Sequence, residues 1–480
     1  MAAVSVSYSI TVRLSLPTGP TAVSGLTATA ERVGAVVTAL DVTASGHDRL
    51  DVDVTVATRS GEHADEVVAA LGTLAGVRIG KVSDRTFLAH LGGKLEITPR
   101  VPLRNRDDLS MIYTPGVGRV AQAIAANPED ARRLTIKRNT VAVVSDGSAV
   151  LGLGNLGPLA AMPVMEGKAV LFKRFAGIDA FPLCLDTQDT EEIIRTVKAI
   201  APVFAGINLE DIAAPRCFEI EARLRAELDI PVFHDDQHGT AIVVLAALTN
   251  ALTCVGKEIG DVRLVMAGAG AAGTAVLRLL LRAGIRHAVV CDVDGVVHRD
   301  RPGLPPELVW TAEHTNADGV TGTLRDALAG ADVFVGLSAG DILTGADIAT
   351  MAPDSVVFAL ANPVPEVDPG EAARSAAVVA TGRSDFANQI NNVLAFPGVF
   401  RGLLDAQSHH VDEAMLLAAA RALSSVVTAD ELNPTYVIPS VFNPEVTSAV
   451  AAAVRDATIT SALGPIPPAG PLAELAGRVG

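Results

Sequence analysis

The sequence predicts an α/β fold that follows a small α+β unit. From about residue 108 onward, short apolar runs typical of buried strands alternate with segments of helical spacing, which is the pattern of a mainly parallel sheet. The first 85 residues differ, because polar and apolar residues alternate there as in half-buried strands. A length of 480 residues suits about three domains and a large buried core.

Composition excludes several classes of protein. Lys plus Arg total 38 and Asp plus Glu total 54, which gives a net charge of −16. Nucleic acids and anionic membranes favour clustered positive charge, so neither is expected as the main partner. With 49% hydrophobic and 19% charged residues, the chain is not expected to be disordered. The uncharged run 239–256 predicts a buried helix and not a membrane span, because threonines and an asparagine interrupt it.

The cysteines and the N-terminus indicate a reducing compartment. The first residues lack the basic start and apolar run of a signal peptide. Because no C-x-x-C pair is present, we expect free thiols, no zinc site and a cytoplasmic enzyme. The four cysteines are Cys184, Cys217, Cys254 and Cys291.

Residues 1–88 are predicted to form a separate ferredoxin-like α+β domain of the order βαββαβ. This order resembles the ACT domains, which implies a site for a small metabolite. The backbone amides of the Gly19–Ser24 loop would approach an anionic effector. A dimerisation or packing domain without a ligand is the alternative. The predicted segments are a strand over Val4–Leu16, a loop over Pro17–Gly25, helices over Ala28–Val33 and His63–Leu74, and strands over Val36–Val42, Leu50–Val56 and Val77–Val82.

Two further domains are expected after this unit. The polar, proline-containing stretch Lys94–Asp108 reads as a linker, and Gly464–Pro471 reads as a loose tail. We place an α/β substrate and metal domain at 89–250. A nucleotide-binding domain with C-terminal helices is placed at 251–480.

The pattern G-x-G-x-x-G occurs twice, and the copy at 268–273 has a strand before it and a helix after it. Gly268 would allow a tight turn, Gly270 would let the backbone approach a pyrophosphate, and Gly273 would let the helix pack on the strand. Free amides at the helix N-terminus would bind the phosphates. A Rossmann-type NAD domain is therefore predicted. Its binding residues are Gly268, Gly270, Ala271, Ala272 and Gly273.

Asp292 ends the next apolar run, Ala288–Cys291, where an acid accepts hydrogen bonds from ribose hydroxyls and repels a 2′-phosphate. We therefore expect NAD in preference to NADP. The first glycine copy, Gly152–Gly157, is followed by Pro158 and Pro163, which should break a long helix. It reads as a close-packing turn near the active site.

Paired acids follow two apolar runs. Glu210 and Asp211 come after Val203–Leu209, and Asp235 and Asp236 come after the run that ends at Phe233. Ligands bind at such strand ends in open α/β sheets. Four neighbouring carboxylates repel one another unless a hard cation neutralises them, so we expect Mg²⁺ or Mn²⁺. The alternative is that each pair is solvated or caps a helix.

Four further side chains are candidates for chemistry. Lys168 opens an apolar run that reads as a strand, and a lysine with a lowered pKa can act as a base. Tyr113 lies in a turn that opens a helix, and Asn362 and Asn392 lie at strand ends, where amides bind carboxylates without adding charge. A surface lysine, a packing tyrosine and turn-forming asparagines are the alternatives.

From about Asp107 to Ser461 the chain resembles bacterial malic enzymes. The motifs that carry the resemblance are SMIYTPGVG (110–118), SDGSAVLGLGNLGP (145–158), EGKAVLFKRFAGIDAFPLCLD (166–186), NLEDIAAPRCFEIE (208–221), FHDDQHGTA (233–241), AGAGAAG (267–273), ALANPVPE (359–366) and QINNVLAFPGVF (389–400).

The resemblance implies oxidative decarboxylation of malate to pyruvate and CO₂, with NAD(P)⁺ and Mg²⁺ or Mn²⁺. It further implies a homodimer or a larger homo-oligomer. It assigns Tyr113 as general acid and Lys168 as general base supported by Asp235. The implied metal ligands are Glu210, Asp211 and Asp236, and Asn362 and Asn392 would contact substrate or nicotinamide.

One position departs from the family pattern. Animal malic enzymes carry an arginine for the substrate carboxylate where this chain has Ala149. Carboxylate recognition must therefore differ here. Two other functions stay open at this point: a malolactic enzyme, which returns the hydride to give lactate, and a non-catalytic regulator that binds NAD.

Overall fold

The computed structural model describes residues 5–19 and 21–460, and the chain divides into two compact units, Met1–Glu96 and Ile97–Gly480. Each unit is described here by itself. The expected tail Gly464–Pro471 and the first residue of the expected strand Val4–Leu16 lie outside the described residues.

The first unit is a four-stranded antiparallel sheet in the order β2-β3-β1-β4. Alternate residues of β1, such as Val12 and Leu14, are fully buried, and they pack with Leu26 and Val67 from the two main helices. The βαββαβ order is as predicted. Its elements are β1 (Ser5–Pro17), α1 (Ala22–Arg32), β2 (Val36–Ser45), β3 (Arg49–Thr58), α2 (Gly61–Gly72) and β4 (Arg78–Asp84), followed by α3 (Arg85–His90).

One loop of this unit is shorter than predicted. Helix α1 begins at Ala22, so the second half of the expected loop Pro17–Gly25, and with it part of the expected effector loop Gly19–Ser24, is helical. The glycine at position 25 disfavours a helix locally. Burial of Leu26 and Ala30 on one helical face outweighs that preference.

The second unit opens with three short α-helices and a four-stranded parallel sheet in the order β6-β5-β7-β8. Since the chain crosses from β5 to β6 on one side and then to β7 on the other, the loops after β5 and β7 diverge and leave a crevice. The elements are α4 (Arg106–Ile112), α5 (Gly116–Ala126), α6 (Ala131–Leu134), β5 (Thr140–Ser145), α7 (Pro158–Ala176), β6 (Asp179–Cys184), α8 (Thr190–Ile200), β7 (Gly206–Leu209), α9 (Arg216–Glu227), β8 (Val232–His234) and α10 (Thr240–Val255).

A six-stranded sheet follows, in the order β11-β10-β9-β12-β13-β14, with only the short edge strand β11 antiparallel. The topological switch lies between β9 and β12, as in a Rossmann-type domain. The elements are β9 (Arg263–Ala267), α11 (Ala271–Ala283), β10 (His287–Asp292), β11 (Gly295–Val296), α12 (Pro306–His314), α13 (Leu324–Leu328), β12 (Val333–Gly336), α14 (Gly345–Ile348), β13 (Val356–Ala359), α15 (Pro369–Ala372) and β14 (Val378–Thr381).

Three C-terminal helices close the unit: α16 (Phe396–Asp405), α17 (Glu413–Ser425) and α18 (Glu445–Thr460). They join α10 in one core that contains residues from both parallel sheets. Among the described residues, the helical stretch Asp235–Val255 is long and apolar enough to cross a membrane by length and composition, but 67% of its most apolar window is buried in the protein. It is the core helix that the sequence predicts at 239–256.

The prediction of a strand at Lys168 is wrong. Lys168 lies in the 19-residue helix α7, which runs through both prolines. Pro158 occupies the start of the helix, where no N–H is needed, and the helix continues past Pro163 because one face is buried in the core. That face, Ala161, Met165, Lys168 and Phe172, has helical spacing that the sequence already displays.

Candidate active site

The two pairs of acids lie where predicted, at the carboxyl ends of adjacent parallel strands. Glu210 and Asp211 directly follow β7, and Asp235 and Asp236 directly follow β8 in a single π-helical turn, Asp235–Gly239. Because β7 and β8 pair with each other, the two acidic turns meet at one edge of the sheet. Asp211 Oδ1 accepts a hydrogen bond from Leu151 N, and Asp211 N donates to Asp236 Oδ2 at 3.0 Å.

Lys168 reaches this edge from helix α7. Its Nζ lies 2.5 Å from Asp235 Oδ2 and 2.8 Å from Glu210 Oε1, and it sits 4.2 Å from the centre of the Phe396 ring. Lys168 and both carboxylates are buried. A surface lysine is therefore excluded for this position, and Lys168 and Asp235 come together as expected.

Three acids fit a divalent cation. The carboxylate oxygens that Glu210, Asp211 and Asp236 offer all lie within 4.8 Å of one another. Asp211 Oδ2 is buried and has no hydrogen-bond partner among the described residues. An all-oxygen donor set with an unpaired buried carboxylate oxygen suits Mg²⁺ or Mn²⁺.

The electrostatics of the cluster follow from burial and like charge. Burial, with repulsion from Asp236 and Glu210, raises the pKa of Asp211 to about 8. Burial raises the pKa of Glu210 and of Asp235 to about 7, although Lys168 opposes the shift. Burial alone would lower the pKa of Lys168, but the Asp235 and Glu210 carboxylates raise it above its ordinary value, so the lowered pKa expected of a base is not found. A divalent cation held by Glu210 would compete for that carboxylate and shift the pKa of Lys168 downward.

The first glycine motif frames this site, as the close-packing interpretation predicts. Gly147 O accepts hydrogen bonds from the backbone amides of Leu156 and Gly157, which folds the loop into a tight turn between β5 and α7. A side chain at Gly147 would clash with the Gly157 backbone. The Leu151 amide that binds Asp211 belongs to the same turn, so the loop lies directly against the acids.

The second glycine motif has the geometry of a dinucleotide site. Gly268 has φ +106° and packs against the Leu337 backbone, and Gly273 packs against the Gly268 carbonyl. Gly270 has open space where a Cβ would stand, so its backbone is free to approach a ligand. Helix α11 begins at Ala271, and Ala272 lies in its first turn.

A cavity of 1220 Å³ opens beside this turn. Its lining includes Gly268, Gly270 and Asp292, and it extends to Gln237 and His238. The last two residues belong to the same π-helical turn as Asp235 and Asp236, so the cavity reaches from the glycine turn to the turn that carries two of the acids.

Arg301 is a residue that sequence reasoning missed. Its guanidinium donates to both oxygens of Asp292, at 2.8 and 2.5 Å. Burial alone would raise the pKa of Asp292, but the hydrogen bonds from Arg301 lower it. The signal was present in the sequence, since Arg301 lies nine residues after Asp292, but the fold is needed to pair them.

The asparagines lie at the border between the two parallel sheets. Gly152 lies in the first glycine loop, and the point where a Cβ on Gly152 would stand is 3.4 Å from the backbone oxygen of Asn362. The Cβ of Asn392 lies 3.2 Å from the point where a Cβ on Gly239 would stand, and the Asp235 carboxylate lies against the same point. Both therefore adjoin the acidic edge, but only Asn362 follows a strand as expected, since Asn392 opens the 3₁₀ helix Asn392–Leu394.

Glu366 was also missed by sequence reasoning. It is fully buried, and its carboxylate accepts hydrogen bonds from the backbone amides of Ser338 and Ala361. These amides follow β12 and β13, so Glu366 ties the loop after β12 to the loop after β13, which contains Asn362. It stands in the motif ALANPVPE, where its charge inside an apolar stretch was the available signal.

Tyr113 is not brought into this cluster. It follows α4 and is 65% exposed, and its hydroxyl makes no hydrogen bond in the part of the chain that the structure describes. The ion pairs and the ring contact of Lys168 are with Asp235, Glu210 and Phe396.

Comparison with known proteins agrees with this architecture. Family models for the malic enzyme N-terminal domain and the malic enzyme NAD-binding domain match residues 92–225 and 237–459. The NAD-dependent malic enzyme of Geobacillus stearothermophilus is 56% identical over 451 residues, 94% of each chain. The bifunctional malic/malolactic enzyme of Bacillus subtilis is 51% identical over 78% of this chain and 92% of its own. The crystal structure of an NAD-dependent malic enzyme from Thermotoga maritima superposes with a TM-score of 0.75 at 48% identity, over 78% of this chain and 99% of its own. The chain therefore belongs to the malic enzyme family.

Proposed function

We propose that this chain catalyses the oxidative decarboxylation of L-malate to pyruvate and CO₂ with reduction of NAD⁺, and that a divalent cation is required. The observation that carries the proposal is the buried contact of Lys168 with Asp235 and Glu210, beside the π-helical turn whose residues Gln237 and His238 line the cavity of the glycine turn. The proposed base and the proposed oxygen ligands therefore adjoin a turn that borders the same cavity as the dinucleotide turn.

Lys168 is proposed as the base that takes the proton from the C2 hydroxyl of malate while NAD⁺ accepts the C2 hydride. Asp235 Oδ2 lies 2.5 Å from Lys168 Nζ and so orients the amine. Its negative charge stabilises the ammonium that forms when Lys168 takes the proton. Loss of CO₂ from the β-carboxylate leaves an enolate, and Tyr113 is proposed to protonate it at C3, which restores the C2 carbonyl of pyruvate. Asn362 and Asn392 border the space where substrate and nicotinamide would meet.

Glu210, Asp211 and Asp236 are proposed to hold Mg²⁺ or Mn²⁺. When bound there, the cation would polarise the C2 oxygen and stabilise the negative charge that decarboxylation leaves on it. The buried, unpaired Asp211 Oδ2 supports this assignment, because an uncompensated buried carboxylate oxygen is costly.

Asp292 supports a preference for NAD over NADP. It lines the cavity at the end of β10, where its negative charge disfavours a 2′-phosphate. Arg301 pairs with it and so does not offer an unpaired cation to that phosphate.

A malolactic activity is the second candidate. The Bacillus subtilis relative, whose name records both activities, supports it. The same base and cluster would serve, and the reduced cofactor would return its hydride to pyruvate before leaving the site.

The first unit is proposed to bind a small metabolite in the manner of an ACT domain. Its βαββαβ order and antiparallel sheet support this role. The match to the Geobacillus stearothermophilus enzyme covers 94% of this chain and therefore extends into the unit. A packing role without an effector is the alternative, and a screen of amino acids and organic acids for changes in kcat or KM decides between them.

The decisive experiment is malate-dependent NADH formation with and without Mn²⁺, with the organic acid product identified. Metal-dependent NADH together with pyruvate is the expected result. Lactate without net NADH would identify the malolactic reaction. Absence of turnover with both NAD⁺ and NADP⁺ would contradict the proposal.

A further inference from the structure

Gln237 occupies the middle of the π-helical turn Asp235–Gly239 and lines the cavity of the glycine turn. The residue is only 5% exposed, and its Nε2 is buried without a hydrogen-bond partner in the described part of the chain. A buried amide donor that lacks an acceptor is unfavourable, so such groups are normally paired. The position of Gln237 therefore indicates that a ligand of the cavity supplies the acceptor.

The turn around Gln237 is held on both sides by Glu221. Its Oε1 accepts a hydrogen bond from His234 N at 3.2 Å and lies 2.7 Å from His238 Nε2. Because the residues before and after it are fixed in this way, the backbone presents Gln237 to the cavity in one position. His238 lines the cavity too, but its Nε2 is already engaged by Glu221. Gln237 is thus the member of this turn whose donor is left for a ligand.

The turn lies against the helix that would bind a pyrophosphate. Helix α11 contacts the π-helical turn, and Ala271, its first residue, packs against the core that contains Ile212 and Cys217. No side chain caps the N-terminus of this 13-residue helix, so its first amides are available. Amides in this position of a dinucleotide fold bind the pyrophosphate. Gly270 and Gln237 both line the cavity, so they border the same space.

We propose that Gln237 Nε2 donates a hydrogen bond to the pyrophosphate of bound NAD, and that this bond ties the cofactor to the turn that carries Asp235 and Asp236. The inference rests on the proposed function, which requires NAD in this cavity. Phosphate oxygens accept hydrogen bonds, and an amide N–H is the donor they need. An uncharged donor also suits this position, because a cation there would compete with Lys168 for the neighbouring carboxylates.

The bond would make the two halves of the site respond to each other. Asp236, next to Gln237, is a proposed metal ligand, and Asp235, on the other side of Asp236, contacts Lys168 at 2.5 Å. A dinucleotide that holds Gln237 also holds this turn in the geometry that the metal and the base require. By thermodynamic linkage, the dinucleotide then tightens metal binding by the same factor by which the metal tightens dinucleotide binding.

Gln237→Leu tests the hydrogen bond, because leucine is similar in size but has no donor. ADP-ribose contains the pyrophosphate, whereas adenosine contains no phosphate. Trp310 is the single tryptophan of the chain and lines the cavity, so its fluorescence reports the binding of both compounds without malate or turnover. We expect the Kd of ADP-ribose to rise about tenfold in Gln237→Leu and that of adenosine to stay within about twofold.

The matched control is Gln188→Leu, which makes the same change at an exposed glutamine that does not line the cavity. It should leave the Kd of ADP-ribose unchanged. Equal Kd values of ADP-ribose for wild type and Gln237→Leu would overturn the proposal, whatever the chain does with malate.

The stability of the ligand-free protein separates this role from a structural one. Because the Gln237 donor has no partner within the described protein, its replacement by leucine removes an unfavourable buried group. The melting temperature of ligand-free Gln237→Leu should therefore equal or exceed that of wild type. A lower melting temperature would show that Gln237 supports the fold instead, and would overturn the proposal.

Gln237→Glu distinguishes a donor from an acceptor. An ionised glutamate accepts hydrogen bonds but donates none, and its charge repels a pyrophosphate. ADP-ribose should therefore bind Gln237→Glu more weakly than it binds Gln237→Leu. If it binds Gln237→Glu as tightly as wild type, residue 237 accepts a hydrogen bond from a ribose hydroxyl, and the assignment to the pyrophosphate is overturned.

The link to the acidic turn is tested with Mn²⁺. Its Kd is measured from the EPR signal of the free ion with and without ADP-ribose, and a protein-free titration corrects for Mn²⁺ that ADP-ribose binds itself. In wild type we expect ADP-ribose to lower the Kd of Mn²⁺ at least about fivefold, and in Gln237→Leu this factor should approach one. The same factor in both proteins would overturn the link. If these binding results hold but malate is not oxidised, the proposed reaction fails and the inference stands.

Discussion

Lys168 is buried and charged, and its two carboxylate partners explain how both properties coexist. An unpaired ammonium in the core would be expensive, whereas Asp235 and Glu210 compensate it at hydrogen-bond distance. The same contacts hold Lys168 Nζ beside the carboxyl ends of β7 and β8, where the proposed metal ligands lie. The proposed proton transfer therefore depends on Lys168, which helix α7 positions beside these carboxylates.

Replacing Lys168 with Met tests this role directly. Methionine keeps the volume in the core but provides no base, so kcat should fall by about 10²-fold or more. NAD⁺ binding, measured by tryptophan or NADH fluorescence, should stay within about threefold of wild type, since the cavity is lined by other residues. Arg174→Met, beyond the buried face of the same helix, is the control. Comparable turnover of Lys168→Met and wild type would exclude Lys168 as the base.

Asp292 and Arg301 are proposed to determine the preference for NAD⁺ over NADP⁺ as a pair. Asp292→Ala removes the charge that disfavours a 2′-phosphate and frees Arg301 from its partner. We expect the ratio of kcat/KM for NAD⁺ to that for NADP⁺ to fall at least about tenfold, a change of about 1.4 kcal/mol. The double variant Asp292→Ala/Arg301→Ala should gain less kcat/KM for NADP⁺ than Asp292→Ala does, because it has no arginine to bind the 2′-phosphate. An unchanged ratio would show that other residues set the preference.

At the scale of elements, the sequence predicts a helix or strand correctly where its hydrophobic periodicity and the residues that start and end it indicate the same structure. Helix α11 is found at the predicted bounds, because a strand, a glycine turn and a C-terminal glycine define it locally. Helix α7 was missed, because its two prolines were given more weight than the helical spacing of its buried residues. Pairings such as Arg301 with Asp292 depend on tertiary geometry, which one sequence does not contain.

The site residues, too, separate into those that local sequence signals predict and those that depend on tertiary geometry. Acids at the ends of β7 and β8 could be placed from the sequence, since the ends of parallel strands meet at one edge. The exposed position of Tyr113 could not, because the sequence does not show that α4, which precedes it, contains no buried side chain.

Asp332 connects three elements of the nucleotide-binding sheet, and its loss should weaken that sheet. Its carboxylate accepts from Arg263 N at 2.8 Å and from Lys257 Nζ at 2.8 Å, which ties the start of β12 to β9 and to the end of α10. Burial alone would raise the pKa of Asp332, but these donors lower it below its ordinary value. Asp332→Asn should cost about 1–2 kcal/mol of unfolding free energy at pH 7.

The pH dependence follows from that direction. A carboxyl with a lowered folded pKa stabilises the protein fully above its unfolded pKa of about 3.9, and the stabilisation is lost as the pH falls through the folded value. The difference in melting temperature between wild type and Asp332→Asn should therefore be constant from pH 7 to pH 5 and shrink below about pH 4. A difference that grew on acidification would contradict the assignment.

At the scale of the whole molecule, each unit has a core of its own. The first unit buries β1 and β3 against its two helices, and the second unites both parallel sheets around α10. The glycine turn and the cavity belong entirely to the second unit. Ligand binding should therefore stabilise the two units unequally.

Calorimetry with NAD⁺ tests this division. We expect two thermal transitions, because each unit loses its own core. NAD⁺ at about 100 times its Kd adds about 2.7 kcal/mol to the state that binds it, so only the transition of the second unit should move upward. The Lys168→Met variant should show the same shift, since it keeps the glycine turn, whereas Gly270→Val should lose it. A single transition that NAD⁺ shifts as a whole would mean that the two units unfold together, and an effector bound to the first would then act on the second through their shared stability.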